Sequence, residues 1–146
     1  MNEPTDLAQH RLGRARQTFE EGNLLLQAGF RSGAVSRFYY AAFHAARALL
    51  ATRELESSKH SGVIALFNRE FVKTGRISKE ASKALSVAFG DRSEADYADF
   101  KAFEASEVEA VRAEVKALLD EVEALIAGLS AQGDDGSSGR SMSERG

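Results

Sequence analysis

The chain has 146 residues, a hydrophobic fraction of 43% and a formal net charge of −3 at neutral pH. This composition predicts one globular domain and argues against a general DNA-binding protein. The absence of cysteine excludes disulfide scaffolds and thiolate metal sites. No apolar run approaches the roughly 18 residues of a membrane span, and no secretory signal is visible. We therefore expect a cytoplasmic protein that does not enter a membrane.

Apolar residues recur at helical spacing along the chain, and no segment shows the alternation that is typical of a strand. A first helix is predicted from about residue 5 to residue 29, with Gly22 weakening the case for a continuous helix. A short turn is predicted at residues 32–33. A second helix is then expected over about residues 34–53, with a polar link after it.

A third helix is predicted around residues 63–72, with Gly75 as the glycine that follows its C terminus. Ser78 is a suitable N-cap for a fourth helix. The segment 90–103 is ambiguous, because the fourth helix could end before it or run into it. A fifth helix over about residues 104–127 has the clearest apolar stripe of all.

The composition changes at residue 130, where the chain becomes rich in glycine and serine. We therefore predict a flexible, disordered tail over residues 130–146. Residues 1–129 are predicted to form a single all-α domain. Because the links between helices are short, this domain is expected to be an antiparallel up-and-down bundle of about five helices.

The second predicted helix carries the strongest functional signal. At about 100° per residue, one broad arc is apolar, and the opposite side carries Arg37, Tyr40, His44 and Arg47. Arginine presents a planar donor fork to phosphate oxygens, and imidazole titrates near neutral pH. Since this side of the helix carries no carboxylate, we predict that it binds or acts on an anion such as phosphate. The alternative is a second packing surface of the bundle.

A second candidate group is Lys59-His60-Ser61-Gly62, at the expected start of the third helix. A cation, an imidazole and unpaired backbone N–H groups would meet there, and helix N termini attract anions. The alternative is a capping turn in which Ser61 is the cap.

A third candidate group lies in the ambiguous segment. If residues 91–97 are helical, Arg92 and Asp96 are four residues apart and can pair. The functional hypothesis is that Asp96 holds Arg92 beside the Tyr97 hydroxyl, facing a phosphodiester. The alternative is a surface ion pair that contributes little to stability.

The sequence offers no sign of a cofactor. It has neither a phosphate-binding nor a dinucleotide-binding glycine pattern, and it lacks the His-Glu-x-x-His metal motif. With only three histidines and no cysteine, a metal site is not predicted.

Three separated segments, in order, resemble the HEPN-domain family (higher eukaryotes and prokaryotes nucleotide-binding). They are residues 36–50, residues 59–75, and the pattern Arg92-x-x-Ala95-Asp96-Tyr97. The resemblance covers about residues 7–127 and is strongest to the small stand-alone prokaryotic branch. It implies an all-α bundle that forms a homodimer, in which Arg-x4–6-His motifs of two copies build a metal-independent ribonuclease site. It also implies a toxin–antitoxin role beside a minimal nucleotidyltransferase partner.

Carried over to this chain, Arg92 matches the arginine of that motif, whereas Asp96 and Tyr97 stand where its histidine is expected. We accordingly predict a protein that binds or acts on RNA or a nucleotide. The alternative is a non-catalytic nucleotide-binding or protein-interaction module. The candidate catalytic residues are Arg92, Asp96, Tyr97 and His44. The candidate nucleotide- or RNA-binding residues are Arg37, Tyr40, Arg47, Lys59 and His60.

Overall fold

A computed structural model describes residues 4–87 and 102–138. Within these ranges the chain forms α-helices and one π-helical turn, without a strand, so the predicted all-α bundle is confirmed. The elements are α1 (Pro4–Gln27), α2 (Arg31–Ala51), α3 (His60–Phe67), a π-helical turn (Asn68–Val72), α4 (described over 79–87) and α5 (Ala105–Ser138). None of the described helices is both long enough and apolar enough to cross a bilayer.

Helix α2 is the centre of the bundle and packs against α1, α3 and α5. Its large side chains, such as Phe38 and Leu49, are fully buried. The predicted apolar arc is confirmed, but the structure also buries residues outside it, including Ala41, Phe43 and Ala48. The reason is that α2 has helices on several sides, so only a narrow polar strip remains. The small alanine side chains let the neighbouring helices approach α2 closely.

The turn between α1 and α2 is shorter than the sequence suggests. Gly29 adopts a left-handed conformation with φ +90°. The N–H of Phe30 donates to the Leu25 carbonyl at 2.8 Å, and the N–H of Gly29 donates to the Leu26 carbonyl at 3.1 Å. This is the Schellman arrangement that ends many helices. Because it reverses the chain at once, residues 32–33 lie inside α2, and the turn predicted there is wrong.

The π-helical turn that continues α3 ends in the same way at Gly75, which has φ +79° and is the predicted post-helical glycine. Just before it, the π-helical turn is closed by the N–H of Lys73, which donates to the carbonyl of Asn68 at 2.9 Å, five residues back. Ser78 acts as the predicted cap of α4, because its Oγ accepts a hydrogen bond from the N–H of Ala81 at 3.1 Å.

Helix α5 is hydrogen-bonded both to α1 and to the residue that caps α4. Glu121 accepts hydrogen bonds from the N–H and Oγ of Ser78 at 3.0 and 2.7 Å. Arg16 of α1 bonds to Asp120 at 3.1 Å and also to Glu123. The helix continues to Ser138, so the first part of the predicted tail is helical. The boundary between domain and tail stays a prediction, and residues 139–146 lie outside the described residues.

Gly22 does not interrupt α1, and its role is in packing. A Cβ atom at this position would lie 2.6 Å from a ring carbon of Phe38 on α2. Phe38 is fully buried and its ring also packs against Phe19, with 5.2 Å between ring centroids. The glycine therefore makes room for a large core side chain where α1 packs against α2.

Replacing Gly22 with alanine is expected to lower the free energy of unfolding by about 1–3 kcal/mol, because the new methyl group would overlap the Phe38 ring. Gly13→Ala is the matched control, since Gly13 lies on the same helix and a Cβ there would meet nothing within 4 Å beyond its chain neighbours and the backbone of its own helix. Alanine at position 13 should raise that free energy by about 0.5–1 kcal/mol. Denaturant unfolding measures both variants, and equal effects would contradict this account.

Candidate functional site

The polar strip of α2 lines a cleft of about 480 Å³ that it shares with α1. We call it the α1–α2 cleft. The α2 residues occupy successive turns of one face, and the α1 residues face them from three turns of the neighbouring helix. The lining consists of Arg37, Tyr40 and His44 from α2 with Arg14, Gln17, Thr18 and Glu21 from α1.

Two more arginines lie close to the cleft. The Nη1 atom of Arg11 donates to the carbonyl of Arg47 at 3.4 Å, and its Nη2 atom pairs with Glu56 at 3.4 Å. Arg47 follows His44 by three residues, so it lies one turn further along α2. Its Nε atom is buried and has no hydrogen-bond partner among the described residues. Three guanidinium groups, those of Arg11, Arg14 and Arg47, thus act on the imidazole of His44, and a fourth, Arg37, lines the same cleft.

The surroundings of His44 lower its pKa. Burial is the largest influence and lowers the pKa of His44, and the charges of Arg14, Arg47 and Arg11 lower it further. Glu21 acts in the opposite direction and raises the pKa. The imidazole is therefore neutral at neutral pH, in the form that can accept a proton.

The sequence predicted an anion-binding surface without a carboxylate, and the structure corrects that picture. Glu21 comes from α1, and its Oε1 lies 3.5 Å from Nη1 of Arg37. The carboxylate was missed because it belongs to a different helix from the arginines.

The whole α1 side of the cleft was missed, although a signal for it exists. Polar residues recur at positions 11, 14, 18 and 21, where helical spacing places them on one line beside the buried stripe of Leu12, Ala15 and Phe19. Thr18 on this line is buried, with only 5% of its surface exposed. Every amphipathic helix has polar residues beside its core stripe, so this line identifies the α1 residues that can border a cleft but does not locate the cleft.

The second candidate group does not reach this cleft. The ring of His60 stacks on Phe43, with 4.3 Å between centroids and 23° between planes. Lys59 precedes α3 as an exposed N-cap residue with extended backbone, and its N–H donates to Ser57 Oγ at 3.2 Å. Because α3 begins at His60, Ser61 lies in its first turn, so the suggested cap at Ser61 is wrong.

The third candidate group, with Arg92, Asp96 and Tyr97, lies outside the described residues, and its role stays a prediction. Over the ranges that the structure does describe, no three histidine, aspartate or glutamate side chains converge in a way that could hold a metal ion.

The titration of His44 tests the electrostatics of the cleft. We expect its pKa to lie below the ordinary value of about 6.5 and to rise in Arg14→Gln, because one neighbouring positive charge is removed. NMR of the ring protons measures this pKa, with His44→Gln identifying the signal. Titration of the wild-type ring at or above the ordinary value would refute the argument.

The same shift has a consequence for stability. The unfolded chain binds a proton at His44 more readily than the folded chain does, so folding loses stability as the pH falls below about 6.5. The stability that this difference contributes above that pH is lost as the pH falls through the pKa that His44 has in the folded chain. Denaturant unfolding of wild type and His44→Gln between neutral and mildly acid pH should show a smaller loss in the variant.

Comparison with known proteins agrees with this fold. The sequence matches the HEPN domain over residues 8–125. It is 40% identical over 129 residues to a "UPF0332 protein" of Thermotoga maritima, which covers 88% of this chain and 98% of that protein. It is 33% identical over 108 residues to "Putative toxin MJ0605" of Methanocaldococcus jannaschii, covering 74% and 80% of the two chains. A match to "Putative toxin MJ0142" of the same organism, 38% identical over 84 residues, spans 58% of this chain and 57% of that protein. The chain therefore belongs to the HEPN-domain family.

Proposed function

We propose that this protein is a toxin-like HEPN protein that binds the phosphate groups of RNA or of a nucleotide in the α1–α2 cleft. The observation that carries the proposal is a cleft lined by Arg14, Arg37 and a His44 imidazole whose pKa is lowered, chiefly by burial and next by the charge of Arg14. The toxin-like role is supported by the names of two relatives, each called a "Putative toxin".

The dimensions and charge of the cleft suit a single-stranded or mononucleotide ligand. A volume of about 480 Å³ lies within the range of small-molecule sites. Guanidinium groups from two helices can approach a phosphate from two sides, and each can donate two parallel hydrogen bonds. The net charge of −3 disfavours broad attachment to duplex backbones, which requires an extended basic surface.

Metal-independent RNA cleavage is the second candidate function, and the lowered pKa of His44 favours it. A neutral imidazole can take the proton of a ribose 2′-hydroxyl while the 2′-oxygen attacks the neighbouring phosphorus. The bond from phosphorus to the 5′-oxygen of the next nucleotide then breaks, which leaves a 2′,3′-cyclic phosphate, and the departing 5′-oxygen takes a proton from the imidazolium or from water. The arginines of the cleft would stabilise the negative charge that develops on the phosphate oxygens. In this proposal Arg92, Asp96 and Tyr97 would add to the site from the segment that resembles the family motif.

The proposed partners follow from the family. We expect a homodimer that acts in the cytoplasm with a minimal nucleotidyltransferase as its antitoxin. Co-expression with a nucleotidyltransferase encoded beside this protein, followed by co-purification at equal stoichiometry, tests the pairing.

Loss of a cleft arginine is expected to weaken RNA binding about tenfold or more, because a charge-assisted hydrogen bond to phosphate is lost. Arg14→Gln and Arg37→Gln are the test variants. Lys83→Gln is the control, since Lys83 is an exposed cation on α4 that does not line the cleft. Fluorescence anisotropy with a labelled single-stranded oligoribonucleotide, with adenosine monophosphate as competitor, separates RNA from nucleotide binding. Equal weakening by all three substitutions would count against the cleft.

Cleavage is tested by incubating total cellular RNA with purified protein in EDTA and examining it on a gel. Loss of cleavage in His44→Ala, with RNA binding retained, would support a catalytic role for the cleft imidazole. Loss in Arg92→Ala alone would instead support the motif segment as the reacting site. Intact RNA in every lane, together with specific binding, would favour the non-catalytic module.

A further inference from the structure

Glu21 is the carboxylate of a cleft whose other charged lining residues, Arg14 and Arg37, are cationic. It pairs with Arg37 across the helices at 3.5 Å, and the two side chains are 43% and 50% exposed. The acid thus places a negative charge where the proposed ligand would bring its phosphate.

This pair differs from the ion pair between Arg53 and Glu70, which joins α2 to the π-helical turn. Arg53 contacts Glu70 at 2.7 Å, also donates to the backbone carbonyl of Glu70, and lies 4.6 Å from the centre of the Phe71 ring. The Glu21–Arg37 contact is longer and more exposed. Ion pairs of this kind are weak and open readily.

We propose that Glu21 is an internal competitor of the ligand: its carboxylate occupies Arg37 in the free protein, and an incoming phosphate displaces it. The inference rests on the proposed function of the cleft as a phosphate site. Glu21 would then keep the Arg37 side chain at the cleft mouth before the ligand arrives. It would also weaken binding, because each ligand must first break the internal pair.

The proposal predicts that Glu21→Gln binds phosphate more tightly than wild type. An exposed ion pair corresponds to a factor of about two to five in an equilibrium constant, so a gain of that size is expected. Glu20→Gln is the matched control. It removes the same charge one position away, from an exposed side chain that accepts a hydrogen bond from Asn23 at 3.2 Å and does not line the cleft.

The probe is inorganic phosphate, followed through the NMR signal of the His44 ring at constant ionic strength. The signal also gives a readout without ligand, since the charges facing this ring are Arg14, Arg11 and Glu21 from α1 and Arg47 from α2. Removing Glu21 should lower the pKa of His44 in the free protein, whereas Glu20→Gln should leave it nearly unchanged. Equal thermal unfolding of the variants shows that the fold is retained.

The outcomes are distinct. Tighter phosphate binding by Glu21→Gln but not by Glu20→Gln supports the competitor role. Binding by wild type that Glu21→Gln leaves unchanged or weakens would overturn the role of Glu21 and leave the phosphate site intact. Failure of phosphate to shift the His44 signal in wild type and in both variants would overturn the proposed function itself, and the inference with it.

Discussion

The close packing of α1 against α2 is the contact on which the rest of the structure depends. It is possible because α2 presents buried alanines and because Gly22 of α1 leaves space for the Phe38 ring. Two helices that pack this closely exclude water from the centre of their interface, and polar side chains remain along its edge. The α1–α2 cleft lies along this edge, so the geometry of the candidate site follows from the packing of the core.

The charges around the cleft are poorly arranged for stability and well arranged for an anion. Like charges near a half-buried imidazole repel its protonated form, and the buried Nε of Arg47 has no partner among the described residues. Away from the cleft, Arg16 and Arg53 have carboxylate partners at 3.1 and 2.7 Å, whereas the partners of Arg11 and Arg37 lie at 3.4 and 3.5 Å. Local electrostatic cost within an otherwise satisfied bundle is a common mark of a functional site.

Most of the helices and one side of the α1–α2 cleft could be predicted from the sequence, because helical periodicity is a local property. It gave the type of each described helix and the α2 side of the cleft, where Arg37, Tyr40 and His44 are one turn apart. The α1 side could not be placed, since it depends on how one helix is rotated against another. The role of Gly22 was misjudged for the same reason. Only glycine fits at this position because the Phe38 ring of the neighbouring helix occupies the space that a Cβ would need.

The π-helical turn at Asn68–Val72 has a further consequence for how this chain can vary. Such a turn holds one residue more than an α-turn and behaves as an insertion that the fold has absorbed. Before it, His60 is fixed by its stacking on Phe43 of α2, and near its end Phe71 is fixed in the core. Loss of one residue would restore α-helical hydrogen bonds but rotate these two anchors against each other by about 100°. The length of this segment is therefore constrained from both sides.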